Sequence, residues 1–363
     1  MSFHGSYRPE DVEFLLKPIS IEMIEDLTDK ERLIQSGVRH YSEMLTPEKL
    51  PTAQYRDLFF QAYQINKERM ARDCLNLATL IIARNSKAPT LVSLARAGTP
   101  VGAVIAHIIR AIYKIDVAHY SISIIRDRGI DVVALDHIMS KGYSAESLVF
   151  IDGWTGKGII SRELELAITS YNRERGVFIE TGLYVLADLA GSAACAASSD
   201  DYLIPSSILN STISGLVSRT ILNSAIGPED FHGCVYFEDF AHQDLSCWFV
   251  DDLVATSLRI HASEVVKSSK PADRVMLANT SRSFMAEEMK RHGINDENLV
   301  KPGIGEATRV LLRRLPGRVI VRDLSNPSVA HLITLAREKN VHIEERPNLP
   351  YHAVSIIRSA LDA

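Results

Sequence analysis

The sequence predicts an α/β protein: a parallel sheet with helices on both faces, followed by a smaller α/β domain. Three observations predict it. Between residues 89 and 189, short apolar runs alternate with stretches of helical periodicity, the pattern of parallel strands joined by right-handed crossovers. Several runs end in Gly-rich turns, at the strand ends where such sheets bind ligands. After a polar stretch the alternation resumes over about 90 residues, enough for one compact three-layer domain.

Taken in order, residues 1–60 are broken by Pro9, Pro18, Pro47 and Pro51 and are expected to form an N-terminal extension of short helices and loops. A long helix is expected over 54–84, where Leu58, Phe59, Ala62, Ile65, Met70, Cys74, Leu77 and Ile81 recur at helical spacing. Within a domain spanning 61–263, strands are expected at 89–94, 119–125, 147–151 and 183–189. Helices are expected at 100–113, 131–141, 159–171 and 204–224. Residues 264–273 read as a linker to a domain at 274–363. There, strands are expected at 275–277, 319–321 and 341–344, helices at 281–292, 305–315 and 326–339, and 353–360 stays open between the two.

Composition narrows the class. With 363 residues, 46% hydrophobic and 23% charged, the chain is neither disordered nor a membrane protein of long apolar runs. Its start lacks a signal region, so the cytoplasm is expected. Cys74, Cys195, Cys234 and Cys247 form no CxxC pair, which argues against a disulfide framework or a zinc knuckle. Residues 271–363 carry 14 Lys+Arg against 11 Asp+Glu, whereas the first 270 carry 26 against 34. A basic tail on an acidic body permits a nucleic-acid partner for the tail.

The most informative segment is Leu148-Val149-Phe150-Ile151-Asp152-Gly153-Trp154-Thr155-Gly156-Lys157-Gly158-Ile159. An apolar strand delivers Asp152 to its end, a turn rich in glycine and hydroxyl follows, and a helix begins. Such a turn aims backbone N–H groups and a helix N-terminus at one point, an anion site suited to phosphate. Thr155 adds a hydroxyl, Lys157 a charge, and Gly156 and Gly158 allow close approach. Asp152 suits the hydroxyls of a sugar carrying that phosphate. The GxxxxGK[ST] and GxGxxG spacings are both absent.

This segment resembles the ribose-phosphate loop of type I phosphoribosyltransferases, an apolar run, two acids and a Thr-Gly pair. Asp152 matches one acid and Thr155-Gly156 the pair, while Gly153 stands where the second acid would be. Leu94-Ala95-Arg96-Ala97-Gly98-Thr99 resembles that family's pyrophosphate loop, and Arg126 and Arg128 lie where the family has a mobile loop. The resemblance implies a ligand site of Asp152, Gly153, Trp154, Thr155, Gly156, Lys157 and Gly158 with Arg96, Ala97 and Gly98. It implies that Asp152, Arg96, Arg126 and Arg128 serve catalysis. It also implies Mg²⁺ bound with pyrophosphate and no dedicated metal site on the protein. The chemistry, loss of pyrophosphate from an anomeric carbon, needs positioning and charge neutralisation more than covalent groups. The acceptor would be chosen by 188–202 or by Arg39-His40-Tyr41-Ser42-Glu43.

Tyr202-Leu203-Ile204-Pro205-Ser206 and Ser214-Gly215-Leu216-Val217-Ser218-Arg219-Thr220 resemble the StiP family, which is found with tellurium-resistance and stress clusters and carries the name "cysteine protease". Cys195 and Cys234 are the available nucleophiles, but His232, two residues from Cys234, is expected on the opposite face of a strand. Lys301-Pro302-Gly303-Ile304-Gly305-Glu306-Ala307-Thr308-Arg309 resembles the Pelota-type RNA-binding domain. That resemblance implies RNA contacts by Gly303, Gly305, Glu306 and Arg309. The expected partners are a phosphoribosyl or nucleotide-like small molecule, RNA, and further copies of the chain, with no membrane. The expected function is a phosphoribosyl-transferring enzyme coupled to an RNA-binding domain; the alternatives are a non-catalytic sensor of the same ligand that reports through RNA, and a thiol protease. The single acid at 152–153 is the sequence feature on the side of the sensor.

Overall fold

The computed structural model describes residues 2–84, 87–263 and 273–359. Its main sheet has six strands: β1 (Glu13–Leu15), β2 (Thr90–Leu94), β3 (His119–Ile122), β4 (Leu148–Thr155), β5 (Leu183–Asp188) and β6 (Cys195–Ser198). The spatial order is β1-β3-β2-β4-β5-β6, and every pairing is parallel. The order in which the chain adds strands to the sheet reverses between β2 and β4, although all strands stay parallel: β3 lies on one side of β2, while β4, β5 and β6 run off on the other. That is a topological switch point, and the loops after β2 and β4 open into its crevice.

Alternate residues of each strand feed two cores. Leu91, Val149 and Ile151 pack under α2 (Ala53–Arg84), α3 (Thr99–Ile108) and α6 (Ser246–Ser263). Val92, Phe150 and Val185 pack under α4 (Val132–Ser140) and α5 (Ile159–Arg175). The expected stripe on α2 is buried except Leu58, which is partly buried, and Ile65, which is 59% exposed. The N-terminal region, expected to be helices and loops, also supplies edge strand β1. It is therefore part of the sheet as well as carrying helix α1 (Leu27–Gln35).

Three other expectations change. The stretch 204–224 is not an amphipathic helix: it holds two single 3₁₀ turns, at Pro205–Ile208 and Ser211–Ile213, and short bridges. Three of its polar side chains bond local backbone and so compete with helix formation: Ser214 donates to the Asn210 carbonyl, Ser218 to the Arg219 carbonyl, and Asn223 accepts from the Ala225 amide. Residues 275–277 are not a strand but belong to helix α7 (Arg274–His292), whose first turn Asp273 caps through the Met276 amide. Residues 353–357 are a strand. The expected linker lies outside the described residues except for Asp273.

In the tail, β7 (Val300–Pro302), β8 (Pro316–Val321), β9 (His342–Glu345) and β10 (Ala353–Ile357) form a sheet of order β7-β10-β8-β9, mixed in direction. α8 (Ile304–Arg313) and α9 (Ala330–Glu338) cover one face and α7 the other, the expected three layers. The apolar core under α2 and α3 runs on without a break into Ile304, Ala307, Leu311 and Leu332. The tail is thus packed onto the body rather than tethered beside it.

Candidate functional site

At the switch point, β4 extends further than the sequence suggests. Pairing with β5 carries it through Thr155, with Trp154 opposite Ala187 and Thr155 opposite Asp188. The free turn is therefore Gly156–Gly158, and the backbone of Trp154 and Thr155 belongs to the sheet. Gly158 has φ +73° and leads into α5, which has no side-chain cap. A Cβ on Gly158 would lie 2.7 Å from the Ser192 Cβ, so the turn requires glycine for both conformation and space. The Thr155 hydroxyl holds the turn by accepting from the Gly158 amide at 3.1 Å.

The loop after β2 lies beside it. Gly98 is pressed against β4, where a Cβ would be 2.4 Å from the Ile151 carbonyl, and Ala97 lies over Gly153. The Ala95–Arg96 peptide is cis. Arg96 is buried, donating to Glu48 Oε1 at 2.5 Å and to the Val217 carbonyl at 2.5 Å. Asp152 is half-buried and accepts from the Gly153 amide at 2.7 Å. Burial raises its carboxyl to about 6, against the opposing pull of Arg309.

What faces these loops is the tail. Arg309 lies over the Trp154 ring, 4.3 Å from its centroid, and pairs with Glu306 at 2.9 Å. Gly305 makes room for that indole: a Cβ there would stand 2.6 Å from Trp154 Cε2. Gly156 approaches the Pro302 carbonyl and Glu306. Lys157 donates to the Glu297 carbonyl at 2.6 Å, and burial together with the nearby Lys301 lowers its ammonium to about 8. Arg126 donates to Asn298 Oδ1 at 2.8 Å. Gly303, with φ +90°, starts α8, and the body's Asp201 receives the Ile304 amide at 2.9 Å and the His352 amide at 2.7 Å. The residues expected to contact RNA therefore lie at the interface between the domains.

Between the two lies a cavity of about 840 Å³. It is lined by Asp152, the 154–158 turn, Arg96 and Arg126 from the body and by Lys301, Glu306, Arg309 and Arg313 from the tail. Eleven of its lining residues are Lys or Arg and six are Asp or Glu, so it favours anions. The cavity unites all the expected ligand residues of the 154–158 turn with Asp152, Arg96 and Arg126. Arg128 is elsewhere: it is exposed and pairs with Glu43 at 3.2 Å. Sequence reasoning missed Lys30, Glu48 and Arg219 as site residues; Lys30 and Glu48 come from segments that carry no motif, and Arg219 from the 214–220 stretch to which no ligand role was given. Among 39–43, Tyr41 lines the wall, its hydroxyl accepting from the Arg126 amide at 2.8 Å.

The thiols are not at this site. Cys74, Cys195 and Cys234 are buried, Cys247 donates to the Ser6 carbonyl at 3.3 Å, and burial raises all four. Among the described residues none is hydrogen-bonded to a histidine; His232 bonds Ser123 instead, at 2.8 Å.

Residues 5–254 match the family model described as "Tellurite-like stress resistance cysteine protease StiP". A protein of Acinetobacter baylyi, named Cysteine protease StiP, is 37% identical over 98% of this chain and 94% of its own length. The chain belongs to the StiP family. Its StiP body is followed by a match at 279–359 to the Pelota RNA-binding domain. Two solved structures also align with this StiP-family chain. A hypoxanthine-guanine phosphoribosyltransferase from Bacillus anthracis is 13% identical, covering 38% of this chain and 80% of its own with a TM-score of 0.25. A hypothetical protein from Neisseria gonorrhoeae with bound ppGpp is 12% identical, covering 35% and 70%, with a TM-score of 0.23. At these scores neither bears on the fold, which rests on the sheet order above. No helix among the described residues is long and apolar enough to cross a membrane.

Proposed function

We propose that the cleft binds a phosphoribosyl or nucleotide-like anion and that the protein is an enzyme transferring the phosphoribosyl group. The carrying observation is the uncapped start of α5 behind Gly156–Gly158, beside Asp152, at the switch point of a parallel sheet and open to a cation-rich cavity. The phosphate takes the turn amides and the helix terminus. Asp152 takes the sugar hydroxyls. Glu306 lines the opposite wall of the cleft and is paired with Arg309 at 2.9 Å, so it does not replace the acid that Gly153 lacks. Mg²⁺, arriving on the ligand's pyrophosphate, fits a donor set of one free carboxylate at Asp152, with Glu306 already held by Arg309. It would neutralise the leaving group, while this chain's own residues hold the ribose still and exclude water.

The relative's name points instead to thiol proteolysis. The raised, histidine-free thiols favour the phosphoribosyl reading over that one, because a thiol nucleophile needs a depressed pKa or an adjacent base. RNA binding by the tail, as the Pelota match suggests, is the second half of the proposal. Calorimetry with ribose 5-phosphate and phosphoribosyl pyrophosphate tests the first half: Asp152→Asn is expected to bind about ten- to a hundredfold more weakly, the scale of a hydrogen bond to a charged group. Absence of wild-type binding at millimolar ligand with Mg²⁺ sinks it. So does proteolysis that Cys195→Ser or Cys234→Ser abolishes.

A further inference from the structure

The cavity gathers five cations, outside the Gly156–Gly158 turn, from four parts of the chain. Lys30 comes from α1, Arg96 from the β2 loop, Arg219 from the irregular stretch after β6, and Arg313 and Arg314 from the end of α8 in the tail. Two carboxylates are paired with this group. Glu31 binds Arg314 through both of its oxygens, and Glu48 binds Arg96 at 2.5 Å. That leaves three cations whose partners are all neutral. Lys30 Nζ donates to Thr46 Oγ1 at 2.8 Å, Arg313 Nε to Asn210 Oδ1 at 2.7 Å, and Arg219 Nη2 to the Met44 carbonyl. Arg219 Nη1 is buried with no hydrogen-bond partner among the described residues.

Unpaired buried cations are costly unless an anion meets them. The cost is visible in each. Burial, then repulsion by Arg219 and Arg314, takes the Lys30 ammonium to about 7. Burial takes Arg219 to about 10, with Arg314 and Arg96 adding repulsion. Burial and Arg96 depress Arg313 strongly. Five like charges thus converge on one cavity from separate segments, and both acids paired with them are engaged by Arg96 and Arg314.

We infer that Lys30, Arg219 and Arg313 form a second anion subsite, completed by the tail, that takes a multiply charged phosphate group such as a diphosphate. The inference shares its cavity with the proposed function and extends it, but it does not need the Gly156–Gly158 turn to hold a sugar phosphate. The guanidinium forks of Arg219 and Arg313 suit paired phosphate oxygens, and Lys30 supplies a point charge. The diphosphate can belong to the phosphoribosyl donor itself or to a second substrate.

The test uses the full chain and inorganic pyrophosphate as probe, in about 0.15 M salt so that loose surface attraction is screened. Wild type is expected to bind pyrophosphate, and Arg313→Gln and Arg219→Gln to weaken it about tenfold or more, with ribose 5-phosphate affinity unchanged. Lys30→Met keeps the stem and removes the charge. It is expected to weaken pyrophosphate likewise while leaving the ligand-free melting temperature equal or higher, since a repelled cation is gone, so it stands in if an arginine variant fails to fold. Exclusion of pyrophosphate by bound phosphoribosyl pyrophosphate assigns the group to the donor; binding of both assigns it to a second substrate. Either supports the subsite. Pyrophosphate binding that is undetectable at millimolar concentration, or unmoved in all three variants, overturns it. The two readings part cleanly: pyrophosphate binding that needs Arg313 without any ribose 5-phosphate binding keeps this subsite and removes the sugar-phosphate proposal.

Discussion

Two strand–glycine–helix units face each other across the cleft. In the body, β4 passes through Gly158, φ +73°, into α5. In the tail, β7 passes through Gly303, φ +90°, into α8. Both helices begin with backbone N–H groups that lack an acceptor within the helix. The difference is in what meets them. Asp201 reaches over from the body and accepts from Ile304 and His352, so the start of α8 is spent on docking. The start of α5 has no side-chain cap and opens to the cavity. Two turns of the same local form therefore have different uses, and the neighbour across the interface determines which. The comparison also bears on RNA: Gly303, Gly305, Glu306 and Arg309 are engaged with the body, so RNA that uses them must displace that contact.

The sharpest way to break the comparison is Asp201→Ala. It leaves two buried amides without an acceptor and is expected to weaken docking by roughly 3 kcal/mol or more. Calorimetry should then show separate melting of tail and body, and a structured RNA should bind the variant more tightly than wild type. A single unshifted transition means that docking does not depend on this cap.

Gly158→Ala attacks the other turn. The left-handed backbone and the contact with Ser192 make a side chain there cost roughly 1–3 kcal/mol. Anion binding should fall with it, while hydrogen exchange at Ile304 and His352 should stay as in wild type. Loss of docking protection instead would mean that the two turns fold as one unit.

The smallest effect separates ligand binding from stability at Asp152. Its carboxyl is raised by burial to about 6, above its value in the unfolded chain, so ionisation at neutral pH disfavours the folded state. Asp152→Asn should therefore be more stable than wild type at pH 7, by about 1 kcal/mol after allowance for its partial exposure. The gain should shrink as pH falls from about 6 towards 4, as the folded carboxyl takes up its proton, and disappear below the ordinary carboxylate range, where both states are protonated. Denaturant melts of both proteins across that range measure it, and a gap that grows at low pH contradicts the assignment.

Much of this was legible in the chain. Strand and helix alternation placed β2, β4, β5, α3, α4 and α5 because burial on both faces of a parallel sheet leaves continuous apolar runs, as in Leu148–Ile151. The glycines of the 156–158 turn and the neighbouring Asp152 were legible because the chemistry of a tight turn is local. The irregular 204–224 was not, since its buried apolar residues imitate a helical stripe while its backbone forms short 3₁₀ turns and bridges, with Ser214, Ser218 and Asn223 bonding local backbone. Nor was edge strand β1, which exists only through pairing with β3, far along the chain.

The sequence by itself determined the family, the two α/β units and the turn that offers amides to an anion, because each depends on residues close together in the chain. Only the tertiary structure decided that the tail's glycine–glutamate stretch closes over that turn, that Asp201 caps α8, and that Lys30, Arg96, Arg219 and Arg313 share one cavity. The physical reason is range. Turn geometry and periodicity are set by neighbouring residues, whereas the charge of a cleft is the sum over segments up to 283 residues apart, as in the Glu31–Arg314 pair, and no local pattern records that sum.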